Sequence, residues 1–232
     1  MRILALETSS LHGSVSTLLG DKVLSEVDLT GEKRTAQSLA PAMQSLLETV
    51  GWKPNEIELV AVTVGPGSFT GLRVGVVTAK TLAYATGAAV IGVNTLDVIA
   101  FQSRESCGII SAVINAHRRQ LFTKAFYRVE GGTLNMDQET LVVEVDDYLA
   151  NLQPNTIVTG PFLEQLKERL PSNVSMADKS VWHPSAATVG QLAWLNYQSG
   201  KRDDLWTLAP KYYRQSAAEE KLAGSKPKVL PG

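Results

Sequence analysis

The chain has 232 residues, enough to form one large domain or two modest ones around a buried core. Hydrophobic residues make up 44% of the sequence and charged residues 19%, which excludes a disordered or collagen-like chain. Lysine and arginine number 22 against 23 aspartates and glutamates, for a net charge of −1. This balance excludes a strong overall basic field, so any contact with RNA has to be local or shared with a partner.

The single cysteine, Cys107, excludes an intramolecular disulfide and a multi-cysteine zinc site, and it favours a reducing compartment. The acidic residue Glu7 comes too early for the hydrophobic segment of a secretory signal. No apolar run approaches the roughly 20 residues that a membrane helix needs. We therefore expect a cytoplasmic protein without membrane contact.

The first elements are predicted from apolar runs and turn residues. Residues 3–6 predict a buried strand, and residues 15–19 and 23–27 flank the turn pair Gly20-Asp21, which predicts a three-stranded meander. Helices and strands then alternate: a helix at 39–50, a strand at 58–64, a helix at 72–85, a strand at 88–93 and a helix from about Thr95 as its N-cap.

The pattern then starts again in shortened form. Strands are predicted at 109–114, 121–127, 140–143 and 157–159, and helices at 163–170 and 186–197. This order predicts an α/β protein of two related halves with the boundary near 103–108. The expected divisions are 1–105 for the first half, 106–217 for a reduced second half and 218–232 for a frayed tail.

A glycine-rich segment between the predicted strand 58–64 and the next helix is the strongest local signal. Free N–H groups and the helix dipole at such a turn can hold a phosphate. The spacing matches neither a Walker A loop nor a dinucleotide-binding fingerprint, and a tight turn without a ligand explains it equally well. The candidate phosphate-loop residues are Gly65, Gly67, Ser68, Thr70, Gly71 and Arg73.

Small residues recur every four positions along the helix that follows, ending at Gly87. Such a stripe lets another helix approach closely, either the helix 39–50 of the same chain or, in addition, a partner protein across both helices. The sequence leaves the two interpretations open. The candidate interface residues are Leu39, Met43, Leu46, Leu47, Gly71, Gly75, Ala79 and Ala83. Bulky substitution of Gly75 or Ala79 is expected to abolish a heterodimer while the monomer stays folded.

Other chemistry finds less support. His12, His117 and His183 have no second histidine at helical spacing, so no metal site is predicted, and no nucleophile-elbow motif is present. Glu7 could orient a metal–phosphate complex, although an exposed carboxylate at a strand end is the preferred interpretation. The basic residues 117–119 at a predicted hairpin turn could touch phosphate, but a solvated turn is preferred.

Four segments in the same order resemble one family. They are Ile-Leu-Ala-Leu-Glu-Thr-Ser at 3–9, Gly-Pro-Gly-Ser-Phe-Thr-Gly-Leu-Arg-Val-Gly at 65–75, Gly-Val-Asn-Thr-Leu at 92–96 and Pro-Lys-Tyr-Tyr-Arg at 210–214. Together they resemble the TsaB (YeaZ) family of bacterial accessory proteins for the synthesis of threonylcarbamoyladenosine in tRNA. The resemblance spans nearly the whole chain.

The resemblance implies an actin-like fold of the sugar-kinase and Hsp70 type. It also implies a non-catalytic scaffold that dimerises with the related catalytic subunit TsaD, and a homodimer when that partner is absent. TsaD transfers a threonylcarbamoyl group to the adenosine that follows the anticodon of tRNAs reading codons that begin with adenine. An ATPase, TsaE, joins the assembly, and a separate enzyme, TsaC, makes the adenylate that TsaD uses. The chain is then expected to meet tRNA only through the complex.

The same resemblance bears on cofactors. The catalytic relative binds a metal through an H-x-x-x-H pair, whereas the comparable residues 35–39 offer no ligand. We therefore expect no catalysis and no cofactor on the isolated chain, with ATP or ADP bound only in the assembled complex.

The sequence also departs from the family pattern, with Glu7 in place of Asp, Asn-Ala-His at 115–117 and Gln-Leu-Phe at 120–122. These changes bear against a ligand role for that hairpin and leave the scaffold role intact. The alternatives are a small-molecule kinase or ATPase using Glu7 and the loop 65–71, and, more weakly, a metal-dependent peptidase.

Overall fold

A computed structural model of the chain describes residues 1–29, 35–103, 108–128, 134–135 and 138–214, with only the backbone of 35, 36 and 135. The expected tail at 218–232 and Cys107 lie outside these residues. The strands are β1 (Arg2–Glu7), β2 (Ser14–Leu19), β3 (Lys22–Asp28), β4 (Leu59–Gly65), β5 (Ala89–Asn94), β6 (Gly108–His117), β7 (Gln120–Arg128), β8 (Leu134–Asn135), β9 (Leu141–Glu144), β10 (Ile157–Thr159) and β11 (Ser175–Met176). The helices are α1 (Thr35–Val50), α2 (Phe69–Thr86), α3 (Thr95–Gln102), α4 (Val145–Ala150), α5 (Leu163–Leu166) and α6 (Ala186–Gln198), with 3₁₀ turns at Pro54–Glu56, Lys167–Arg169 and Lys179–Val181.

The two sheets repeat one topology. The first has the order β3-β2-β1-β4-β5, in which β4 and β5 run parallel to β1 while β2 is antiparallel to both of its neighbours. In the second, β10 and β11 run parallel to β6, and the antiparallel β7 carries β8 and β9 on its far side. Each sheet thus has the strand arrangement of the actin-like fold. The predicted α/β fold of two related halves is confirmed, and the helices α4 and α5 of the second half are shorter than α1 and α2 of the first.

Helices cover both faces of the first sheet because its strands are apolar on both faces. α1 and α2 cover the face that presents Leu4, Leu6 and Val60. α6 covers the opposite face, against Ile3 and Ala5. The sequence assigned α6 to the second half, so its packing on the first sheet is a correction: the chain returns to the first half after β11.

α3 lies between the two sheets and joins the halves. Val98 packs with the first sheet, whereas Leu96 and Ile99 pack with the second. The expected N-cap, Thr95, is instead the first helical residue, because the side chain of Asn94 accepts the N–H of Leu96 at 2.8 Å. The helix predicted at 163–170 is also shorter, since α5 ends at Leu166 and continues as a 3₁₀ turn.

Candidate functional site

A cavity of about 710 Å³ lies in the cleft between the two halves. The turn after β1 and the glycine-rich turn before α2 form its first wall, and the β6–β7 hairpin forms the opposite wall. Leu11, Phe69 and Phe122 give the cleft an apolar part, while Arg118 and Arg214 bring positive charge. Among the residues that the structure describes, no carboxylate side chain lines it. The cleft therefore suits an anion with an apolar portion.

The glycine-rich turn is held by the protein's own backbone. The N–H of Ser68 donates to the carbonyl of Ser9 at 2.7 Å, and the hydroxyl of Ser68 accepts the N–H of Gly71 at 3.3 Å as the N-cap of α2. A Cβ at Gly67 would collide with the Ser9 carbonyl, and one at Gly65 would lie 2.7 Å from the carbonyl oxygen of Lys211. Glycine is needed here for close backbone approach.

Three of the six candidate phosphate-loop residues therefore have a donor that is already engaged. The N–H groups of Ser68 and Gly71 have partners, and Nε of Arg73 donates to the hydroxyl of Tyr212 at 2.8 Å. Of the candidate set, Gly67, Ser68 and Thr70 line the cleft. This geometry favours the tight-turn interpretation, and phosphate binding by the turn stays a prediction that rests on the Ser68 and Thr70 hydroxyls.

Glu7 is fully buried, which corrects the expectation of an exposed carboxylate at the end of β1. Its Oε1 accepts the N–H of Ser9 at 2.8 Å, the Ser9 hydroxyl and, at 3.4 Å, the Thr63 hydroxyl. Its Oε2 has no partner among the described residues. Burial raises the pKa of Glu7 from 4.5 to about 7, against the lowering effect of the Ser9 hydrogen bonds. Glu7 does not line the cleft and serves to hold the turn that follows β1.

The small residues of α2 face inward. A Cβ at Gly75 would collide with the side chain of Thr8, one at Gly71 would collide with the Thr8 carbonyl, and Ala79 and Ala83 are buried in the first core. The glycines of the stripe let α2 approach the turn after β1 closely. Its alanines, Ala79 and Ala83, share the first core with Leu39 and Leu46 of α1, as expected for packing between the two helices of this chain.

The α1 candidates are also turned away from solvent, since Leu39, Leu46 and Leu47 are buried and Met43 is half-buried against the same core. Seven of the eight candidate interface residues are buried against the chain's own core and Met43 is partly exposed, which corrects the expectation that this set is open to a partner.

The opposite side of α2 is exposed and partly apolar. Val77 is 62% exposed and Tyr84 69%, and Trp206, at 73%, packs edge-to-face on Tyr84 with ring centroids 5.7 Å apart. We call Val77, Tyr84 and Trp206 the α2 patch. Sequence reasoning missed it, although Val77 and Tyr84 are seven residues apart and so share the helix face opposite the small stripe.

A C-terminal strap, residues 201–214, runs back over the first half. Nζ of Lys80 donates to the carbonyl of Leu208 at 3.0 Å, which fixes the strap to α2. The N–H of Lys211 donates to the carbonyl of Val64 at 2.7 Å, so the strap is also hydrogen-bonded to the end of β4. The strap therefore supports the glycine-rich turn from outside.

The last residues of the strap reach both walls of the cleft. The Tyr212 ring stacks on Phe69 with centroids 4.6 Å apart, and Arg73 lies over the Tyr212 ring. Nη1 of Arg214 donates to the carbonyl of Ala116 at 2.6 Å, on the hairpin of the second half. The motif 210–214, noted above only as part of a resemblance, thus ties one half to the other.

The described residues form neither a metal-ion cluster nor a membrane-spanning helix. Within the described ranges, no three histidine, cysteine, aspartate or glutamate side chains come together in a way that could hold a metal ion. The helices in those ranges are too short or too polar to cross a membrane.

Comparisons with known proteins agree with this architecture. The chain is similar to the TsaB tRNA threonylcarbamoyladenosine biosynthesis protein of Bacillus subtilis (strain 168), with 28% identity over 95% of this chain and 97% of that protein. It is also similar to the protein of the same name from Escherichia coli (strain K12), with 27% identity over 97% and 99%. The fold matches YeaZ from Pseudomonas aeruginosa with a TM-score of 0.79 at 23% identity, covering 91% of this chain and 99% of that one.

A family model described as TsaD, tRNA N6-adenosine threonylcarbamoyltransferase, matches residues 22–222, which is most of the sequence. The repeated sheet topology, the full-length relatives and this match agree, and the chain belongs to the TsaD family.

Proposed function

We propose that the chain is an accessory subunit in the formation of threonylcarbamoyladenosine on tRNA. The observation that carries this proposal is its similarity, over nearly the full length of both proteins, to relatives named for that biosynthesis. The modified nucleoside is the adenosine after the anticodon, and the chain meets tRNA as part of an assembly. A tRNA modification assay with the host's TsaD-like subunit, with and without this chain, tests the proposal. Equal modification in both reactions would contradict it.

The accessory role is proposed to be non-catalytic. Residues 35–39 contain no histidine, and the Glu7 carboxylate is buried beneath the Ser9 turn instead of facing the cleft. Both observations support a scaffold over the alternatives of a kinase, an ATPase or a metal-dependent peptidase. By the same argument, the isolated chain needs no cofactor, and ATP or ADP binds only in the assembled complex. Calorimetry with ATP and magnesium tests this, since stoichiometric binding by the isolated chain would revive the kinase or ATPase alternative.

The proposed partner is the TsaD-like catalytic subunit, with a TsaE-like ATPase joining later. Partner docking stays assigned to α1 and α2, but on their exposed sides: the α2 patch replaces the buried small residues. Large apolar side chains exposed together in this way are typical of protein interfaces. In the absence of the partner, the same surface is proposed to pair two copies of this chain.

A substitution in the α2 patch separates docking from folding. Val77→Asp puts a charge into the proposed interface at an exposed position, so the monomer should stay folded while affinity for the TsaD-like subunit falls at least about tenfold. Leu195→Asp is the matched control, because Leu195 is also exposed but lies on α6, across the sheet from α2. Co-purification and sedimentation measure both variants. If Val77→Asp bound the partner as tightly as wild type, the assignment of the α2 patch to the interface would be wrong.

A further inference from the structure

The tip of the β6–β7 hairpin is an unusual piece of backbone. His117, Arg118 and Arg119 have φ angles of 62°, 51° and 63°, three consecutive non-glycine residues in the left-handed region. Each such residue costs roughly 1–2 kcal/mol relative to the right-handed conformation. The side chain of Asn115 supports the turn by accepting the N–H of His117 at 2.7 Å. The turn presents exposed basic side chains at a ridge between two hollows.

The second hollow, about 340 Å³, shares Asn115, His117 and Arg118 with the cleft and extends from the hairpin tip to α4 and α5. Arg118, Arg119 and Arg169 line it together with one carboxylate, Asp146. Asp146 is 3.2 Å from Arg119 and 2.5 Å from Arg169, so one carboxylate is shared by two guanidinium groups. Among the described side chains that line this hollow, the three arginines outnumber the one carboxylate, although the chain as a whole has a net charge of −1.

The two hollows form one basic surface because Arg118 lines both. On the cleft side, Arg214 adds a guanidinium group that is fixed in place by the hairpin carbonyls. A single small anion can occupy only one hollow. A chain of phosphates can cross the ridge and contact both, and the exposed Leu11 at the rim of the cleft offers an apolar contact for a base.

We propose that the β6–β7 hairpin tip, with Arg118, Arg119 and Arg169, binds the sugar-phosphate backbone of the tRNA that the assembly modifies. This inference rests on the proposed function. These few cations cannot hold RNA without help from the rest of the assembly, because each phosphate contact contributes modestly and the rest of the chain supplies no basic field. The hairpin thus extends an RNA surface that the partner subunit begins.

The experiment compares two variants within the complex with the TsaD-like subunit. Arg118→Gln/Arg169→Gln removes one cation from the ridge and one from the outer hollow, and leaves the Arg119–Asp146 pair intact. Lys22→Gln/Lys53→Gln removes the same charge from exposed positions on the first half. Binding of an unmodified tRNA transcript is measured over a series of salt concentrations. All four positions are exposed, and melting curves verify that both variants are folded.

For the arginine variant we expect weaker binding and a slope of log affinity against log salt that is smaller by about 2. The ratio of wild-type to variant affinity for the tRNA should then fall about tenfold between roughly 50 mM and 200 mM salt. The lysine variant should bind like wild type. Equal slopes for the arginine variant and wild type would overturn the inference.

Two controls separate the possible failures. If inorganic phosphate replaced chloride at constant ionic strength and erased the difference between variant and wild type, a single-anion pocket would replace the RNA assignment. Failure of the wild-type complex to form or to support modification would instead contradict the proposed function. Retention of complex formation by the arginine variant, with weakened tRNA binding, supports both.

Discussion

At Gly75, α2 comes so close to the end of β1 that a single added carbon meets the side chain of Thr8. We therefore expect Gly75→Leu to destabilise the monomer by about 3 kcal/mol, the upper range of overpacking costs. This replaces the expectation that bulk at Gly75 disrupts only a heterodimer. Ala85→Leu adds similar volume on the exposed side of α2 and should change stability by less than about 0.5 kcal/mol. Urea unfolding measures both, and equal midpoints would contradict the packing.

Glu7 makes the stability of the fold depend on pH. Its carboxyl has a pKa of about 7 in the folded chain and an ordinary value of 4.5, which applies to the unfolded chain. The folded state therefore holds the proton more tightly. The stabilisation is complete below pH 4.5 and is lost as the pH rises through about 7.

Glu7→Gln imitates the protonated acid and should abolish this loss. The unfolding free energy of the variant minus that of wild type is expected to rise by about 3 kcal/mol between acid and mildly alkaline pH. Urea unfolding at a series of pH values gives this difference. Glu48→Gln removes an exposed carboxylate from α1 as the matched control. A difference that is flat with pH would show that folding does not raise the pKa of Glu7.

Among the elements, the C-terminal strap connects parts of the chain that are distant in sequence. Arg214→Gln removes the guanidinium contact to the Ala116 carbonyl, so amide exchange at 116–119 should quicken by about tenfold, the effect of one charged hydrogen bond. Arg202→Gln is the control, since Arg202 also donates to a carbonyl, that of Tyr197, but lies outside the cleft. Unchanged exchange in the hairpin of the Arg214 variant would mean that the strap does not hold it.

The order and type of most elements could be predicted from the sequence because apolar periodicity marks a buried face directly. The same signal does not say what covers that face. The contact of Gly75 with Thr8 was therefore not predicted, and α6 was assigned to the wrong sheet. The burial of Glu7 was missed because its cause, the turn through Ser9, depends on the Gly67 backbone far along the chain.

In the whole molecule, the halves meet through a largely buried ion pair. Nζ of Lys124 on β7 lies 2.6 Å from Oδ1 of Asp97 on α3, with 7% and 19% of the two side chains exposed. Burial raises the pKa of Asp97 even though Lys124 acts to lower it. Asp97→Asn leaves the lysine charge buried without its counterion, so a loss of about 3 kcal/mol is expected.

A second variant tests whether that loss is one of charge or of shape. Asp97→Leu/Lys124→Met removes both charges and keeps apolar volume, and its stability should return to within about 1 kcal/mol of wild type. Denaturant unfolding of the single and double variants completes the comparison. A double variant as unstable as Asp97→Asn would show that the halves depend on the side-chain geometry of the pair.

The return of the chain to the first sheet through α6 has a mechanical consequence. The second half is inserted between α3 and α6, so two covalent crossings join it to the rest of the molecule. A single covalent connection would let the second half rotate in any direction, whereas two connections restrict its rotation to the axis that passes through both. We therefore expect movements of the second half to change the gap between the Ser68 turn and the hairpin tip, while rotation in other directions is restricted. The hydrogen bond from Arg214 to the Ala116 carbonyl connects the strap of the first half to the hairpin, so we expect it to stabilise the closed arrangement of the two halves.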